Sequence, residues 1–375
     1  MTQLRTVQVL GGGSAGSSAH VRSLAAGLVA RGVRVTVCAP AELDHDYDYL
    51  GTGAHFVPVP RRSDPLAIAV LRAACAGADV VHAHGVHAGV RAALALGSQA
   101  QQRRRVPLVV TWHTRTLADG PARARLLRLM ERKAVRAAAV VLGTSSELVD
   151  RARRRGARDA RLGPVSIPAP RRGSDAVDGK ARADLGAMDR PLLMAVGALE
   201  AHRGYGTLLD ASRLWLRHDP VPLVAVAGEG RQRGALQRRI DTDDLPVRLL
   251  GRRDDVTSLL AAADVALLPS RWEARAPLAQ EALRLGVPLV ATAVGGVPEL
   301  VGDAAVLVPY GDAGALAEAV SGLLADPVRR AELAAAGRVQ AGTWPTEDDT
   351  VVQVLSVYDE LCAGSRIRRQ RPQSP

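Results

Sequence analysis

The feature that most constrains the fold of this chain is an alternation, repeated along most of its length, between short apolar runs and longer amphipathic stretches. In the first half, runs typical of strands lie near 5–10, 33–38, 79–83, 107–112 and 139–142. Helical patterns lie between them near 18–31, 64–75, 87–97 and 121–136. Val21, Leu24, Ala25 and Leu28, for example, have the i, i+3, i+4, i+7 spacing of a helix that buries one face. Strands that alternate with helices predict βαβ units and parallel sheets.

The alternation stops between 164 and 190, where Gly, Pro, Arg and Asp dominate, and we interpret this segment as a linker. A second series follows, with strands near 192–196, 222–227, 247–250, 264–268, 288–291 and 305–308. Asp326-Pro327 begins a further helix, because proline is tolerated in a first turn. The 375 residues suffice for two domains of roughly 100–200 residues each. We therefore predict an α/β protein with two doubly wound domains, whose ligands bind beyond the carboxyl ends of the strands.

Positive charge is concentrated in the N-terminal half. Residues 1–170 contain 24 Arg and Lys against 11 Asp and Glu, whereas the remainder has a net charge of −2. Such an asymmetry is typical of a polyanionic partner, namely an anionic membrane surface, a phosphorylated lipid acceptor or nucleic acid. A general preference for arginine is the alternative, because Lys133 and Lys180 are the only lysines. Aromatic residues are only 3% of the chain, which argues against nucleic acid because bases stack on aromatic platforms.

The sequence predicts a cytoplasmic protein. No apolar run reaches the ~18 residues that span a membrane, and no signal peptide is recognisable at the N-terminus. Cys38, Cys75 and Cys362 are far apart and form neither a metal-binding spacing nor a disulfide framework. Free cysteines fit a reducing compartment.

A glycine-rich loop follows the first predicted strand. It reads G-x-G-x-x-G at Gly11, Gly13 and Gly16, and G-x-S-x-G around Ser14. The second strand ends in Ala39-Pro40, without the acidic residue of a dinucleotide site, and the first strand-turn-helix is an unusual place for a hydrolase nucleophile. The remaining interpretations are a phosphate-binding loop at a helix N-terminus and a tight turn that merely requires glycine.

Histidines follow two of the predicted strands. His82 and His84 point to the same face of a strand and His87 comes shortly after, which would suit a metal site. No carboxylate or cysteine accompanies them at ligand spacing, so histidines that face a ligand or are hydrogen-bonded are favoured. His113 directly follows another strand, at the sheet edge where ligands gather, and is therefore a candidate for catalysis or donor contact.

Two glutamates and a glycine pair follow strands in the second half. Glu273 and Glu281 come after the strand near 264–268, and Pro277 can begin the helix that carries Glu281. Eight helical residues rise ~12 Å, which is too far for a shared proton but suits two contacts on one extended ligand. Gly295-Gly296 follows the next strand, where glycine permits close backbone approach and a helix N-terminus can face phosphate.

These segments together resemble the retaining glycosyltransferases of family 4, as an arginine-rich member of actinobacterial type. The motifs are Pro269 to Glu273, Glu281 with Gly286-Val287-Pro288, and Gly295 to Glu299, joined by His20, the 79–84 strand, His113 and Gly228-Glu229-Gly230. The resemblance covers nearly the whole chain and implies the GT-B architecture, in which two Rossmann-like domains face each other across a cleft. It implies an acceptor-side domain at 1–168 with a returning C-terminal helix at 347–365, and a nucleotide-sugar-binding domain at 175–345. We expect residues 366–375 to form a basic, disordered tail.

The resemblance also implies roles for individual residues. His113 and Glu273 would act at the donor sugar, and Glu281 would bind the ribose of the nucleotide. Gly16, Gly295 and Gly296 would lie against the diphosphate and sugar. The family needs no metal ion or other cofactor, because helix N-termini and basic side chains stabilise the departing nucleotide diphosphate. The implied function is transfer from a nucleotide-sugar donor with retention of configuration, to a lipid or cell-envelope acceptor at the inner membrane face.

One position departs from the family pattern. The usual Arg of the segment after the first strand of the second domain is Ala198, and the usual Lys is Arg203. Arg203 can still bind phosphate in bidentate fashion. His202 and Arg271 are candidates to compensate for the missing cation. The alternative is a catalytically impaired module that binds a sugar nucleotide or acts as a scaffold.

Overall fold

The computed structural model of the protein describes residues 3–12, 15–61, 65–97, 106–115, 120–163, 165–166 and 175–370. The chain divides into two compact units. Unit 1 comprises Met1–Ile167 and Pro345–Pro375, and unit 2 comprises Pro168–Trp344. Each unit is built on its own parallel sheet, as the alternation of strands and helices predicts.

Within the described residues, the sheet of unit 1 has seven strands in the order β3-β2-β1-β4-β5-β6-β7. They are β1 (Arg5–Leu10), β2 (Arg34–Ala39), β3 (His55–Pro58), β4 (Val80–His84), β5 (Leu108–Trp112), β6 (Val140–Gly143) and β7 (Ala160–Leu162). All neighbouring pairs are parallel. The connections are α1 (Ala15–Ala30), α2 (Ala41–Tyr47), α3 (Pro65–Cys75), α4 (Val86–Gly97), α5 (Pro121–Ala137) and α6 (Ser146–Arg154), with a short 3₁₀ helix at Leu50–Thr52. The strand order reverses between β1 and β4, and ligands of such sheets bind beyond the carboxyl ends at this point.

Within the described residues, the sheet of unit 2 has six parallel strands in the order β10-β9-β8-β11-β12-β13. They are β8 (Leu192–Val196), β9 (Leu223–Ala227), β10 (Val247–Gly251), β11 (Val265–Leu268), β12 (Leu289–Thr292) and β13 (Val306–Val308). The helices are α7 (Asp175–Asp184), α8 (Tyr205–Leu214), α9 (Arg233–Thr242), α10 (Val256–Ala261), α11 (Pro277–Leu285), α12 (Val297–Val301), α13 (Ala313–Ala325) and α14 (Pro327–Gly342). Short 3₁₀ helices lie at Ala201–Arg203 and Trp215–Arg217. The order reverses between β8 and β11.

The sheet of unit 2 is buried on both faces, which explains why its strands read as continuous apolar runs. Along β8, Leu192 and Met194 belong to one apolar cluster, whereas Leu193 and Ala195 belong to another. Successive side chains of a strand point to opposite faces, so the two clusters are the two layers that cover the sheet. Pro327 begins α14, as predicted, and the Asp326 side chain caps that helix by accepting a hydrogen bond from the Arg329 amide at 2.8 Å.

The last helix, α15 (Glu347–Gln370), packs on unit 1, which confirms the predicted return of the C-terminal helix to the N-terminal domain. Val351, Val354 and Tyr358 are buried in the same apolar cluster as residues of α1 and β2. Gly27 of α1 permits the close approach, because a Cβ there would lie 2.4 Å from a methyl of Val351. A hydrogen-bonded ion pair between Arg161 and Glu360, at 2.7 Å, joins the helix to β7.

Two expectations about the segments between and after the domains need correction. The segment 164–190 is not a linker throughout, because α7 forms within it and Ala181, Leu185 and Ala187 are buried in the core of unit 2. Arg and Asp dominate its composition, yet apolar residues at a few positions suffice to dock a helix. The expected tail at 366–375 begins later, because α15 continues through Gln370. Residues 371–375 lie outside the described residues, as do 167–174 of the expected linker.

Other sequence expectations concern membranes and cysteines. None of the helices in the described ranges combines the length and the apolar composition needed to cross a bilayer. Cys38, Cys75 and Cys362 are free thiols. Burial raises the pKa of the Cys75 thiol to about 12 and raises the pKa of Cys38 as well. Both groups are therefore protonated and unreactive at neutral pH.

Candidate active site

Four histidines of unit 1 converge beside the carboxyl end of β4. His82 and His84 belong to β4, His113 follows β5, and His20 lies on α1. The ring centroids of His82 and His84 are 4.3 Å apart, which confirms that both point to one face of the strand. The rings of His20 and His113 are 5.3 Å apart, and those of His84 and His113 are 5.4 Å apart. We call this group the histidine cluster.

A hydrogen-bond network connects the histidine cluster to β1, β5 and α15. His84 Nε2 is 3.0 Å from Gln8 Oε1, and His84 Nδ1 is 3.1 Å from His113 Nε2. Gln8 Nε2 donates to the Tyr358 hydroxyl at 3.0 Å. That hydroxyl lies 2.8 Å from His82 Nδ1, and His82 Nε2 lies 2.6 Å from the Thr111 hydroxyl. The network therefore runs from the edge of the sheet to a buried residue of the last helix.

One direction of donation satisfies every group in this network. Because Gln8 Oε1 can only accept, His84 carries its proton on Nε2 and its Nδ1 is bare. His113 must then donate through Nε2, which leaves Nδ1 of His113 as an acceptor. On the other side, Tyr358 accepts from Gln8 and donates to His82, which in turn donates to Thr111. The assignment thus gives each ring a defined tautomer.

The four imidazoles are uncharged at neutral pH. Burial lowers the pKa of His20 to about 4 and is also the main cause that lowers the pKa of His82 to about 3. For His84 and His113, burial, reinforced by the neighbouring histidines, places the pKa well below the usual range. His113 alone among the four is partly exposed. The histidine cluster therefore has one solvent-accessible neutral imidazole, that of His113, which is hydrogen-bonded to a buried network.

The glycine-rich loop lies beside the same strands. Gly11 and Gly12 follow β1, and a Cβ at Gly11 would lie 3.3 Å from the backbone nitrogen of Ala88 at the start of α4. Gly12 has a φ of 100°, which favours glycine. Gly16 lies in the first turn of α1, while Gly13 and Ser14 lie outside the described residues. His87 is exposed on α4 and does not join the histidine cluster, so the predicted alternative of a site made by His82, His84 and His87 is not assembled.

In unit 2, Glu273 lies buried in the loop between β11 and α11. Its carboxylate accepts hydrogen bonds from the Ser270 hydroxyl at 2.9 Å and from Nη1 of Arg203, with which it forms an ion pair. Burial raises the pKa of Glu273, whereas the Arg203 charge and the two hydrogen bonds oppose that rise. Arg203, Ser270, Glu273, Gly295 and Gly296 constitute what we call the glutamate cluster.

The glycines of the glutamate cluster are required by its backbone geometry. Gly295 has a φ of 57°, and a Cβ there would lie 2.0 Å from the carbonyl oxygen of Glu273. The amide of Gly296 donates to the same carbonyl at 2.9 Å. Gly204, next to Arg203, has a φ of 73°, and its Cβ would lie 1.8 Å from the carbonyl oxygen of Pro269. The three loops after β8, β11 and β12 therefore pack backbone against backbone.

Glu281 lies on α11, and Pro277 begins that helix, as predicted. Its carboxylate is partly exposed and accepts a hydrogen bond from the hydroxyl of Thr257 on α10. Glu273 precedes the helix, so the pair is not helical throughout, and the separation calculated for eight helical residues does not apply. The two glutamates nevertheless follow the same strand of the sheet.

Ala198 and the two candidate compensating side chains are exposed. Ala198 follows β8 at the surface, and the side chains of His202 and Arg271 are also exposed. Their segments are joined because the Arg271 amide donates to the His202 carbonyl at 2.8 Å. Burial and the Arg203 charge lower the pKa of His202, which leaves it largely neutral at pH 7. Arg203 thus remains the cation in contact with Glu273.

Sequence reasoning missed several residues of both clusters. Gln8 gave a signal, because a polar residue inside an apolar strand must find hydrogen-bond partners when buried. Tyr358 and Thr257 gave none, since each acts through a contact with another segment. Ser270 lies only three residues before Glu273, and its contact with that carboxylate was not predicted although both residues belong to one motif. Arg275, two residues after Glu273, was also missed, and its Nε and Nη2 have no hydrogen-bond partner among the described residues.

Comparison with known proteins covers both units. The model for the glycosyl transferase 4-like domain matches residues 15–167, and the model for glycosyl transferases group 1 matches residues 190–326. The D-inositol 3-phosphate glycosyltransferase of Thermomonospora curvata is 32% identical over 313 residues, which cover 75% of this chain and 71% of that relative. The chain belongs to the family 4 glycosyltransferases.

The chain also resembles a relative that acts on a phosphatidylinositol glycolipid, over a shorter stretch. A GDP-mannose-dependent monoacylated alpha-(1-6)-phosphatidylinositol monomannoside mannosyltransferase of Corynebacterium glutamicum is 34% identical over 178 residues. That match covers 44% of this chain and about half of the relative, 47%. The alpha-D-kanosaminyltransferase of Streptomyces kanamyceticus and a putative teichuronic acid biosynthesis glycosyltransferase of Bacillus subtilis are matched over 64% and 60% of their own length.

Solved structures establish the fold of the glycosyltransferase. Anabaena Alr3699/HepE in complex with UDP-glucose superposes with a TM-score of 0.80 at 20% identity, covering 95% of this chain and 100% of that chain. The lipopolysaccharide glycosyltransferase WaaG has a TM-score of 0.68 at 17% identity, covering 96% of this chain and 99% of that chain. The predicted GT-B fold with two Rossmann-like domains is confirmed.

Proposed function

We propose that this glycosyltransferase moves a sugar from a nucleotide-sugar donor to a lipid or cell-envelope acceptor, with retention of anomeric configuration and without a metal ion. The observation that carries the proposal is the buried Glu273 carboxylate, bound to Arg203 and Ser270 and packed against the Gly295-Gly296 loop. A desolvated carboxylate with defined hydrogen bonds is suited to orienting sugar hydroxyls. The complex of Anabaena Alr3699/HepE with UDP-glucose supports a donor of this class.

In this proposal, unit 2 binds the donor. Glu281, partly exposed on α11, accepts hydrogen bonds from the ribose hydroxyls, and Glu273 binds hydroxyls of the transferred sugar. Gly295 and Gly296 lie against the diphosphate and sugar, where side chains would prevent close approach. Gly16 lies in the first turn of the 16-residue helix α1, where the free backbone N–H groups of a helix N-terminus are suited to bind phosphate.

Arg203 would stabilise the departing nucleotide diphosphate. Its Nη1 binds Glu273, while its Nε has no hydrogen-bond partner among the described residues. A guanidinium has five N–H donors, so Arg203 can hold Glu273 and a phosphate oxygen together. This electrostatic stabilisation replaces the metal ion that other transferases use. Of the exposed candidates in adjoining segments, Arg271 would compensate for Ala198 with its charge, whereas His202, largely neutral at pH 7, would contribute only a hydrogen bond.

His113 would contact the donor sugar or the acceptor in unit 1. Its Nε2 donates to His84, which leaves Nδ1 to accept a hydrogen bond from a hydroxyl. Its neutral state suits this role at physiological pH, because a protonated ring has no acceptor.

A turnover assay tests the proposal. We would incubate the protein in EDTA with UDP-glucose, GDP-mannose and related donors, and with inositol phosphate or phosphatidylinositol glycolipids as acceptors. We expect transfer with the donor's anomeric configuration preserved in the product, as read by NMR. Glu273→Gln should lower kcat/KM by about 100- to 1000-fold, as the loss of one electrostatic contact does in comparable sites. Glu332→Gln, at an exposed ion pair with Arg329, is the matched control and should change nothing.

A second function rests on Ala198, which removes one cation that the family uses. The protein would then bind a sugar nucleotide without transferring the sugar and would act as a scaffold. Binding of a donor without turnover under any acceptor mixture would support this alternative. If the protein transfers the sugar but the product has the opposite anomeric configuration, only the retaining mechanism would be contradicted, and the transferase function would stand.

The basic charge of unit 1 supports a membrane-bound acceptor at the inner membrane face. On α5, Arg125, Arg128 and Arg132 are exposed beside Leu126 and Leu129, which are 58% and 54% exposed. Helices that combine exposed arginines with exposed apolar side chains bind to anionic membrane surfaces. Arg151 and Arg155 are unavailable for this role, because both bind the buried carboxylate of Glu131.

Vesicle sedimentation tests the membrane contact. Binding to phosphatidylglycerol vesicles should decrease with salt, and it should decrease in Arg128→Ala/Arg132→Ala and in Leu126→Ala/Leu129→Ala. Each arginine should contribute about 1 kcal/mol. Arg238→Ala, which removes an exposed arginine from α9 of unit 2, should bind like the unchanged protein. Equal binding by all variants would contradict the role of α5.

A further inference from the structure

We propose that His20, His84 and His113 form a binding site for a Zn²⁺-type transition-metal ion, and that the bound ion blocks sugar transfer. Each of the three residues offers one ring nitrogen, and these nitrogens all lie within 4.8 Å of one another. The inhibitory half of the proposal rests on the proposed function, whereas the binding half stands on the geometry of unit 1 alone.

The separation of the nitrogens suits a tetrahedral ion. With Zn–N bonds of 2.0–2.1 Å, two ligand nitrogens are about 3.3 Å apart. His84 Nδ1 and His113 Nε2 are already 3.1 Å apart. The remaining pairs, at up to 4.8 Å, require the His20 ring to move by up to about 1.5 Å toward the other two, a shift that side-chain rotation can supply. Three protein ligands leave a fourth position open, beside the partly exposed His113.

His20 provides the second observation. Its side chain is only 4% exposed, and no hydrogen bond joins its ring to another described residue. It contacts the rings of His84 and His113 at centroid distances of 5.8 and 5.3 Å. A ring nitrogen that bonds to no described protein group still needs a polar partner. A metal ion between the three rings would supply that partner.

The network around His84 already orients it as a ligand. Its Nε2–H donates to Gln8 Oε1, so the bare Nδ1 faces His113. Ligating histidines usually donate their other nitrogen to such an oxygen, which holds the tautomer and the ring orientation. Binding requires His113 to move its proton from Nε2 to Nδ1, with no net proton release from that ring.

The donor set selects the kind of ion. Three imidazoles, without a carboxylate in the group, favour Zn²⁺, Cu²⁺, Ni²⁺ and Co²⁺ over Mg²⁺ and Ca²⁺, which prefer oxygen ligands. Ligation would occupy His113 Nε2 and leave the ring proton on Nδ1, which could then no longer accept a hydrogen bond from a hydroxyl. Transfer that proceeds in EDTA would therefore stop when Zn²⁺ is added and resume when EDTA removes it.

Titration of the intact protein with ZnCl₂ by calorimetry, without any donor, tests the site, and the visible absorption of bound Co²⁺ reports its geometry. We expect one ion per protein and tetrahedral Co²⁺ bands. Loss of an outer contact of a metal site weakens binding by about 10- to 100-fold, so loss of a ligand in His20→Ala should weaken it by about 100-fold or more. His113→Asn, at the partly exposed position, gives a second reading if His20→Ala does not fold. His87→Ala is the matched control, because His87 is exposed on the neighbouring helix, and it should retain full binding.

The outcomes separate this proposal from the proposed function. Absence of binding in the unchanged protein, or equal binding by His20→Ala and His87→Ala, would overturn the site. Tight binding lost in His20→Ala would establish the site even if no transfer were found. Transfer that continues at saturating Zn²⁺ would overturn the inhibitory half and leave the proposed function intact.

Discussion

The histidine cluster of unit 1 and the glutamate cluster of unit 2 both lie at the carboxyl ends of parallel strands, yet their buried polar groups are stabilised in opposite ways. The histidines are neutral, and His82, His84 and His113 are each held in one tautomer by their hydrogen bonds. Glu273 has Arg203 as its cationic partner, and its ion pair offsets the burial of the carboxylate. In a neutral network, the loss of one partner leaves neutral groups that keep their other hydrogen bonds. In a buried ion pair, the loss of one partner leaves a single unpaired charge, and the free energy of unfolding falls by more.

Of the variants that test this difference, Arg203→Met should lower the free energy of unfolding the most. The variant leaves the buried Glu273 carboxylate without its cation, and breaking a buried pair in this way costs about 3–5 kcal/mol. We would measure the free energy of unfolding in urea. Arg329→Met, at the exposed pair with Glu332, is the control and should cost less than about 1 kcal/mol.

A double variant tests whether the unpaired charge causes that loss of stability. Glu273→Gln in the Arg203→Met background removes the unpaired charge, so the free energy of unfolding should recover most of the loss while transfer remains absent. If Arg203→Met unfolds like Arg329→Met, the glutamate cluster does not depend on its ion pair and the contrast with the histidine cluster is lost.

Tyr358→Phe should have a smaller effect. It removes the hydroxyl that joins Gln8 to His82 and leaves two buried groups with one partner fewer, at a cost of about 1–3 kcal/mol. The proton NMR signals of the His82 ring should also shift, because the Tyr358 hydroxyl no longer donates to His82 Nδ1. Tyr310→Phe, at an exposed tyrosine, is the control. Unchanged ring signals in Tyr358→Phe would show that the network does not reach the histidines.

The pH dependence of stability should give the smallest effect per group. Burial lowers the pKa of His20 to about 4, so the unfolded chain, with a usual histidine pKa near 6.5, binds more protons below pH 6.5. Stability is therefore complete above pH 6.5 and falls as the pH is lowered, by about 1.4 kcal/mol per pH unit for each such histidine. We would compare unfolding at pH 6.5 and 5.5 in the unchanged protein and in His82→Asn, which should have the shallower slope. Equal slopes would mean that His82 is not buried as a neutral ring.

Most of the fold could be predicted because it is encoded locally. Strands such as β8 and β11 are short apolar runs buried on both faces, and turn residues separate them from helices of amphipathic pattern. The edge strands β3 and β7 were missed, since β3 ends in a proline and β7 in a half-exposed Arg-Leu pair. Helix α7 was missed because polar residues dominate its sequence and only one face is buried.

The candidate site could be predicted only in part. Motif spacing points to Glu273, Glu281 and the Gly295-Gly296 pair, because those residues lie close together along the chain. Tyr358 is 350 residues from Gln8, and Arg203 is 70 residues from Glu273, so no local pattern indicates either contact. Such partners become visible only when the sheet and the last helix bring them together.

The measurement that tests the central claim most directly is calorimetric titration of UDP-glucose and GDP-mannose in EDTA, with Glu281→Ala beside the matched surface variant Glu332→Ala. The account predicts micromolar binding of one donor by the unchanged protein and by Glu332→Ala, and about a tenfold or greater loss in Glu281→Ala, since hydrogen bonds to a charged group contribute about 1.5–3 kcal/mol. Equal binding by Glu281→Ala and Glu332→Ala, or binding that appears only when a divalent metal ion is added, would contradict it.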